Sequence, residues 1–126
     1  MIARHLWAAW MSIALGMGTG AFQGLFFHRE DWMEGYDSWP RRLMRLGHVS
    51  FFGLAFLNLA FAETLRLLGP QAHVAPLSWA LLAGAVGMPA VCYLAAWRKP
   101  LRLLFYPLVT AMVGSAVLFL LGGLHP

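Results

Sequence analysis

Charge is what this chain has least of. Of its 126 residues, 11% are Asp, Glu, Lys or Arg, less than half the share of roughly 25% usual in soluble domains. That shortage excludes a soluble enzyme, a disordered segment and a nucleic-acid reader. Cysteine is scarcer still: Cys92 stands alone, so neither a disulfide framework nor a Cys-based zinc site can form. The 13 glycines and 7 prolines follow no collagen-like period, and both residues are tolerated in membrane helices. Acidic residues number five, four of them crowded into one loop.

What fills the chain is apolar. Hydrophobic residues make up 60% of it, and mean hydropathy is +0.66. A spanning helix needs about 20 mostly apolar residues, and four such stretches occur, at about 6–27, 43–68, 77–97 and 101–124. Between them lie a charged loop (28–42), a turn at Gly69-Pro70, and the break Arg98-Lys99-Pro100. The expected fold is all-α: one transmembrane domain over 1–126, a four-helix antiparallel up-and-down bundle. Arg4 ahead of an apolar run invites a signal-peptide reading, but the run is long and no Ala-x-Ala site follows it, so the first segment is expected to stay.

A net charge of +4 is best explained by membrane orientation, because the cations sit at the ends of apolar runs. Arg29, Arg41, Arg42 and Arg45 flank the first loop, and Arg98, Lys99 and Arg102 flank the last turn. The other side has only Arg4 and Arg66. Seven against two predicts both basic turns in the cytoplasm of a bacterial inner membrane and both termini in the periplasm. Trp7, Trp10 and Trp79 fall near one surface, Trp32, Trp39 and Trp97 near the other, as an aromatic belt requires.

Every fourth residue of the first helix reads Ala8, Ser12, Gly16, Gly20, Gly24 and His28. Small side chains let backbones approach closely where lipid supplies no hydrophobic drive. Ser12, Gly16, Gly20 and Gly24 are thus the expected interface, within the chain, against a partner protein, or beside a flat cofactor. The second helix places His48, Ala55, Asn58, Ala62 and Arg66 within a sector of about 80°. Such a stripe should face protein or a cavity. Asn58, Glu63 and Arg66 are read as buried polar residues: Asn58 bonding across helices, Glu63 pairing with Arg66 at i+3. Pro89 should bend the third helix and free the carbonyl of Ala85.

His28 ends the first helix and His48 begins the second, which an antiparallel hairpin would set at one level. Two facing histidines are what haem b needs for axial ligation, and Arg41, Arg42 and Arg45 would meet its propionates or lipid headgroups. The loop's Glu30, Asp31, Glu34 and Asp37 are read as solvated, with no metal expected, although 15 residues is long for a hairpin and suits contact with a neighbour.

The run Pro40-Arg41-Arg42-Leu43-Met44-Arg45-Leu46-Gly47-His48-Val49-Ser50-Phe51-Phe52-Gly53, followed by Leu57-Asn58, resembles uncharacterised four-helix bacterial inner-membrane proteins. Its Gly-His…Phe-Phe-Gly stretch is similar to helices of haem–copper-oxidase-related membrane proteins. The resemblance covers about a fifth of the chain and implies membership of a respiratory or photosynthetic electron-transfer assembly. The expected role is a small accessory subunit of such a complex, packed through the glycine seam and bathed in lipid, with no catalytic residue and no nucleic acid. Two alternatives stand beside it: a haem- or quinone-binding electron-transfer subunit using His28 and His48, and a small transporter or channel.

Overall fold

The computed structural model describes residues 1–69 and 71–122, all helix and turn, with no strand among them. Four α-helices follow in order: α1 (Ile2–Phe26), α2 (Trp39–Leu68), α3 (Val74–Trp97) and α4 (Phe105–Gly122). Short 3-10 segments at Trp32–Glu34 and Lys99–Leu104 interrupt the connections. Pro70 and the expected end of the last helix, beyond Gly122, lie outside the described residues.

Among the described residues, three stretches are long and apolar enough to cross a membrane: Trp39–Leu68, Val74–Trp97 and Lys99–Gly122. Helix α1, the first of the four expected stretches, is not among them by this measure. At 25 residues α1 has the length, about 37 Å at 1.5 Å per residue, but Arg4, His5, Thr19, Gln23 and its glycines dilute its hydropathy. Large apolar side chains cover the outside, among them Phe56, Leu67, Val86, Trp97, Tyr106 and Leu121. An exterior this apolar belongs to a protein whose solvent is lipid.

The stretch Ser38-Trp39-Pro40 reads as a helix start ahead of the apolar stretch 43–68, and α2 begins there. Ser38 has extended backbone angles and its hydroxyl accepts the Arg41 N–H at 3.3 Å, while Pro40 occupies the first turn. A capping serine and an early proline both favour a start there. At the other end Gly69 has φ 74°, and its N–H closes onto the Leu65 carbonyl at 3.0 Å. Glycine enters that left-handed conformation without steric cost.

The helices meet in opposed register. His5 meets Asn58, Gly16 lies against Phe51 and Phe52, Gly20 against His48, and Gln23 bonds to Met44. Rising numbers on α1 thus meet falling numbers on α2. The same holds between α2 and α3, where Gly47 receives Cys92 and Tyr93 and Asn58 reaches Leu81. It holds again between α3 and α4, where Gly84 and Gly87 accept Met112 and Leu108.

Burial is uneven across the four. Helix α3 is central, with Leu77, Leu81, Ala85, Cys92 and Ala95 all buried. It runs unbroken through Pro89, which is fully buried. One core cluster joins Phe61, Leu65, Val74, Leu77, Leu81 and Phe119; a second, at the opposite end, joins Leu43, Ala95 and Ala96. Helix α4 packs mainly on α3 and buries only Ser115 and Phe119.

The α1 seam is occupied within the chain. A Cβ on Gly20 would lie 2.5 Å from His48 Cε1, and one on Gly16 would lie 2.9 Å from the Phe52 ring. Gly24 has nothing within 4 Å. The strict four-residue reading explains the error: each such step turns the helix about 400°, so the face slips by about 40° a step. From Ser12 to Gly24 the slip is about 120°, and at His28 about 160°. The buried face follows alternating steps of four and three instead, through His5, Ala9, Ser12, Gly16 and Gln23.

These contacts separate the glycines experimentally. Gly20→Leu must displace the His48 ring and should cost about 1–3 kcal/mol. Gly24→Leu should leave stability within about 0.5 kcal/mol. Unfolding in detergent by denaturant titration checks both.

Candidate functional site

Two polar clusters lie at opposite ends of the bundle, and a groove joins the space between them. The first cluster is built on His5, which is fully buried although it stands one turn into α1. Its Nδ1 lies 2.6 Å from Asn58 Oδ1 on α2, and its Nε2 lies 2.8 Å from Ser78 Oγ on α3. The Asn58 amide N–H groups donate to the carbonyls of Leu54 (2.8 Å) and Leu81 (3.4 Å). With both amide hydrogens so engaged, Oδ1 faces the imidazole, so Nδ1 donates and Nε2 accepts from the serine. Phe61 meets the ring edge-on at 4.6 Å. Three helices are tied by one neutral side chain.

Asn58 is therefore buried, as expected, and its neighbours on the stripe, Ala55 and Ala62, are buried with it. Glu63 and Arg66 are a correction. They do pair, at 3.8 Å, but their side chains are 53% and 71% exposed. Glu63 stands one residue past Ala62 and off its face, Arg66 stands in the last turn of α2, and this pair is no interior charge.

The second cluster centres on Arg41, expected among headgroups or propionates but only 3% exposed. Its Nη1 donates to the Arg29 carbonyl and its Nη2 to the Phe27 carbonyl, each at 3.2 Å. These carbonyls lie just past the end of α1, where the helix dipole favours a cation. The rings of Phe27, Trp32 and Tyr36 stand 5.4–5.5 Å from the guanidinium carbon, near enough for cation–π attraction. Arg45 completes the arrangement, donating to the Tyr36 carbonyl at 2.9 Å with its guanidinium 4.1 Å from that ring. Arg42 alone of the three is exposed. Glycine at position 35 meets the loop's sharp bend, φ 99°. The acidic side chains Glu30, Asp31, Glu34 and Asp37 are all exposed, and among the described residues no three His, Cys, Asp or Glu side chains converge.

The histidine pair proposed for haem is not brought together. His48 lies at the level of Gly20 and Thr19, whereas residues 27–29 lie at the level of Arg41. Seven residues of α2 separate those levels, about 10 Å. His28 is exposed beyond the end of α1, and the His48 ring fills the space beside Gly20 that a porphyrin would need. The residues present do not fit bis-histidine haem ligation.

A groove runs between α1 and α3 over the face of α2. Its larger part, about 560 Å³, is bordered by Met11, Ser12, Leu15, Ala85, Pro89 and Tyr93. A second part, about 260 Å³, is bordered by Gly18, Thr19, Gln23, Met44 and Tyr93 and shares Leu15 with the first. Tyr93 crosses Gly47, 3.0 Å from where a Cβ would stand, and its hydroxyl is buried with no hydrogen-bond partner among the described residues. Gln23 is 4% exposed and spends one N–H on the Met44 carbonyl at 3.3 Å. His5, Arg41, Gln23 and Tyr93 were not singled out as buried polar groups from sequence. For His5 and Gln23 the signal was available, since both lie on the alternating face that carries Ser12 and Gly16.

Comparison with protein-family models, with curated proteins and with solved structures gives no match to this chain.

Two outcomes test the clusters. A double-mutant cycle of His5→Phe and Asn58→Leu should give a coupling of about 0.6–1.7 kcal/mol, each single variant being worse than additivity allows because it strands a buried partner. Arg41→Lys keeps the charge but not the two-carbonyl fork. It should raise cleavage at Glu30 or Glu34 by a glutamate-specific protease roughly tenfold, reflecting about 1.5 kcal/mol of lost hydrogen bonding, with helix content unchanged.

Proposed function

We propose that the chain is a non-catalytic accessory subunit of a larger electron-transfer complex in the bacterial inner membrane. It lies there as a four-helix up-and-down bundle, with its termini in the periplasm. The observation that carries this reading is α4, an 18-residue apolar helix with only two buried side chains. Helix–helix association in lipid depends on packing and on small residues that permit it. Around Gly114, where a Cβ would meet nothing within 4 Å, α4 keeps such a surface uncovered. Since Gly16 and Gly20 are taken up by α2, the partner-facing surface moves from α1 to α4.

Membrane placement draws support from three directions. The cations of the first loop and last turn gather at one end, where Trp39 donates to the Ala95 carbonyl at 2.8 Å and Arg102 lies 6.0 Å from the Trp39 ring. By the positive-inside rule that end faces the cytoplasm. Trp7, Trp10 and Trp79 are exposed toward the opposite end and Trp97 is exposed at this one, levels suited to the two interfaces. Helix α1 runs beside α2 from Asn58 to Met44, so a bilayer that holds α2 holds α1 at the same depth. The electron-transfer character rests on the Gly47-His48…Phe51-Phe52-Gly53 resemblance.

A photo-crosslinking residue at Val113, which is 58% exposed on α4, tests the role in native membranes. The expected product is a discrete adduct with another membrane polypeptide that copurifies under mild detergent. A monomer with no adduct would refute the subunit reading.

A further inference from the structure

We propose that exposed cations at the basic end of the bundle, centred on Arg42 and Arg102, form a headgroup site for an anionic phospholipid. Seven cations gather at this end, and the structure divides them. Three are engaged within the chain: Arg29 pairs with Asp31 at 4.0 Å, Arg41 donates to two carbonyls, and Arg45 donates to the Tyr36 carbonyl beside that ring. Arg42, Arg98, Lys99 and Arg102 are exposed, and among the described residues none of them has a salt-bridge partner. The acids of the same end, Glu30, Asp31, Glu34 and Asp37, all belong to the first loop, and of these only Asp31 reaches a cation.

Packing brings the uncompensated charges together. Trp39 donates to the Ala95 carbonyl, and Trp39 and Leu101 pack on the buried Leu43, Ala95 and Ala96. The first turn of α2 is thereby set beside the turn that carries Arg98, Lys99 and Arg102. The Arg102 guanidinium lies 6.0 Å from the Trp39 ring. Arg42 follows Trp39 by three residues, about 60° from it around the helix. It stands on the side of α2 away from α1, which meets Met44, His48 and Phe52. Depth and surroundings make the fitting anion a lipid. Next to the cations the surface turns apolar: Leu46 on α2, Leu103 beside Arg102 and Tyr106 on α4 are 49%, 59% and 70% exposed. A soluble anion gains nothing from that surface. A phospholipid sets its phosphate among the cations and its acyl chains along the leucines and the tyrosine. Basic clusters at the cytoplasmic ends of membrane helices recognise anionic headgroups, and a guanidinium fork matches phosphate oxygens.

The inference rests on membrane placement of the helices and not on the accessory role. An absent adduct at Val113 would leave it standing. The test uses the full chain in detergent with equimolar dioleoyl phosphatidylglycerol and dioleoyl phosphatidylcholine, and native mass spectrometry counts the lipid adducts. Wild type should carry phosphatidylglycerol in clear preference, and excess inorganic phosphate should not displace it. Arg42→Gln and Arg102→Gln should each weaken that preference about fivefold. Replacing both by lysine should keep most of it, and Arg29→Gln should leave it unchanged. All three positions are exposed, so unfolding temperatures should match wild type. A photo-crosslinking residue at Leu103 should label phospholipid in native membranes. Equal adducts of the two lipids, displacement by phosphate (a soluble-anion site), or a loss in Arg29→Gln as large as in Arg42→Gln (charge without a site) would each overturn the proposal. So would a polypeptide adduct at Leu103, which would assign the cations to an acidic partner.

Discussion

A polar side chain inside a bundle that faces lipid has no water to fall back on, and this chain meets that constraint with a single histidine. His5 sits where three helices converge, and its two ring nitrogens reach one partner on α2 and one on α3. The geometry is directional in a way that apolar packing is not. Sliding α1 by one residue along α2 would rotate His5 by about 100° and strand Asn58 and Ser78 in a medium where an unpaired group costs several kcal/mol. Individual interhelical hydrogen bonds in membranes are worth only about 0.6 kcal/mol on average. The value of this cluster lies in excluding alternative registers, since the penalty for misalignment exceeds the gain from alignment.

The opposite end is held by a different device suited to its setting. There the chain leaves α1, bends sharply and re-enters as α2, exposing carbonyls that the helix no longer satisfies. Arg41 satisfies two of them from the first turn of α2 and lies among three aromatic rings. The guanidinium is planar, weakly hydrated and able to bond at two points, which suits it to this site better than an ammonium. With His5 setting one end and Arg41 the other, the α1–α2 pair is constrained over its length. The close contacts of Gly16 and Gly20 follow from that alignment.

Much of this was legible in the sequence, and what was not has definite causes. The four helical stretches, the breaks between them, the Ser38-Trp39-Pro40 start and the buried Asn58 could be read from hydropathy, caps and angular position. Arg41 could not, because its charge marks it as a surface residue and only the three-dimensional loop supplies its carbonyls and rings. Haem ligation by His28 and His48 was inferred from adjacency to a hairpin, but adjacency in a loop of this length does not set depth. The seam was traced at a strict spacing of four, which drifts off any straight interface within three steps. The alternating spacing would have carried the reading from Ser12 back to His5 and forward to Gln23. Tyr93 gave no sequence signal, since an isolated tyrosine near the end of an apolar helix reads as an interfacial residue.

The same alignment explains why a groove exists at all. Helices α1 and α3 both pack closely on α2, through glycines at 16, 20 and 47, and touch each other far less. Two rods resting on a third leave a furrow between them unless large side chains fill it. Here the facing positions on α1 include Ala8, Ala14 and Gly18, and those on α3 include Ala85 and Ala90, so the furrow stays open. An apolar furrow alone would be filled by acyl chains without consequence for the fold.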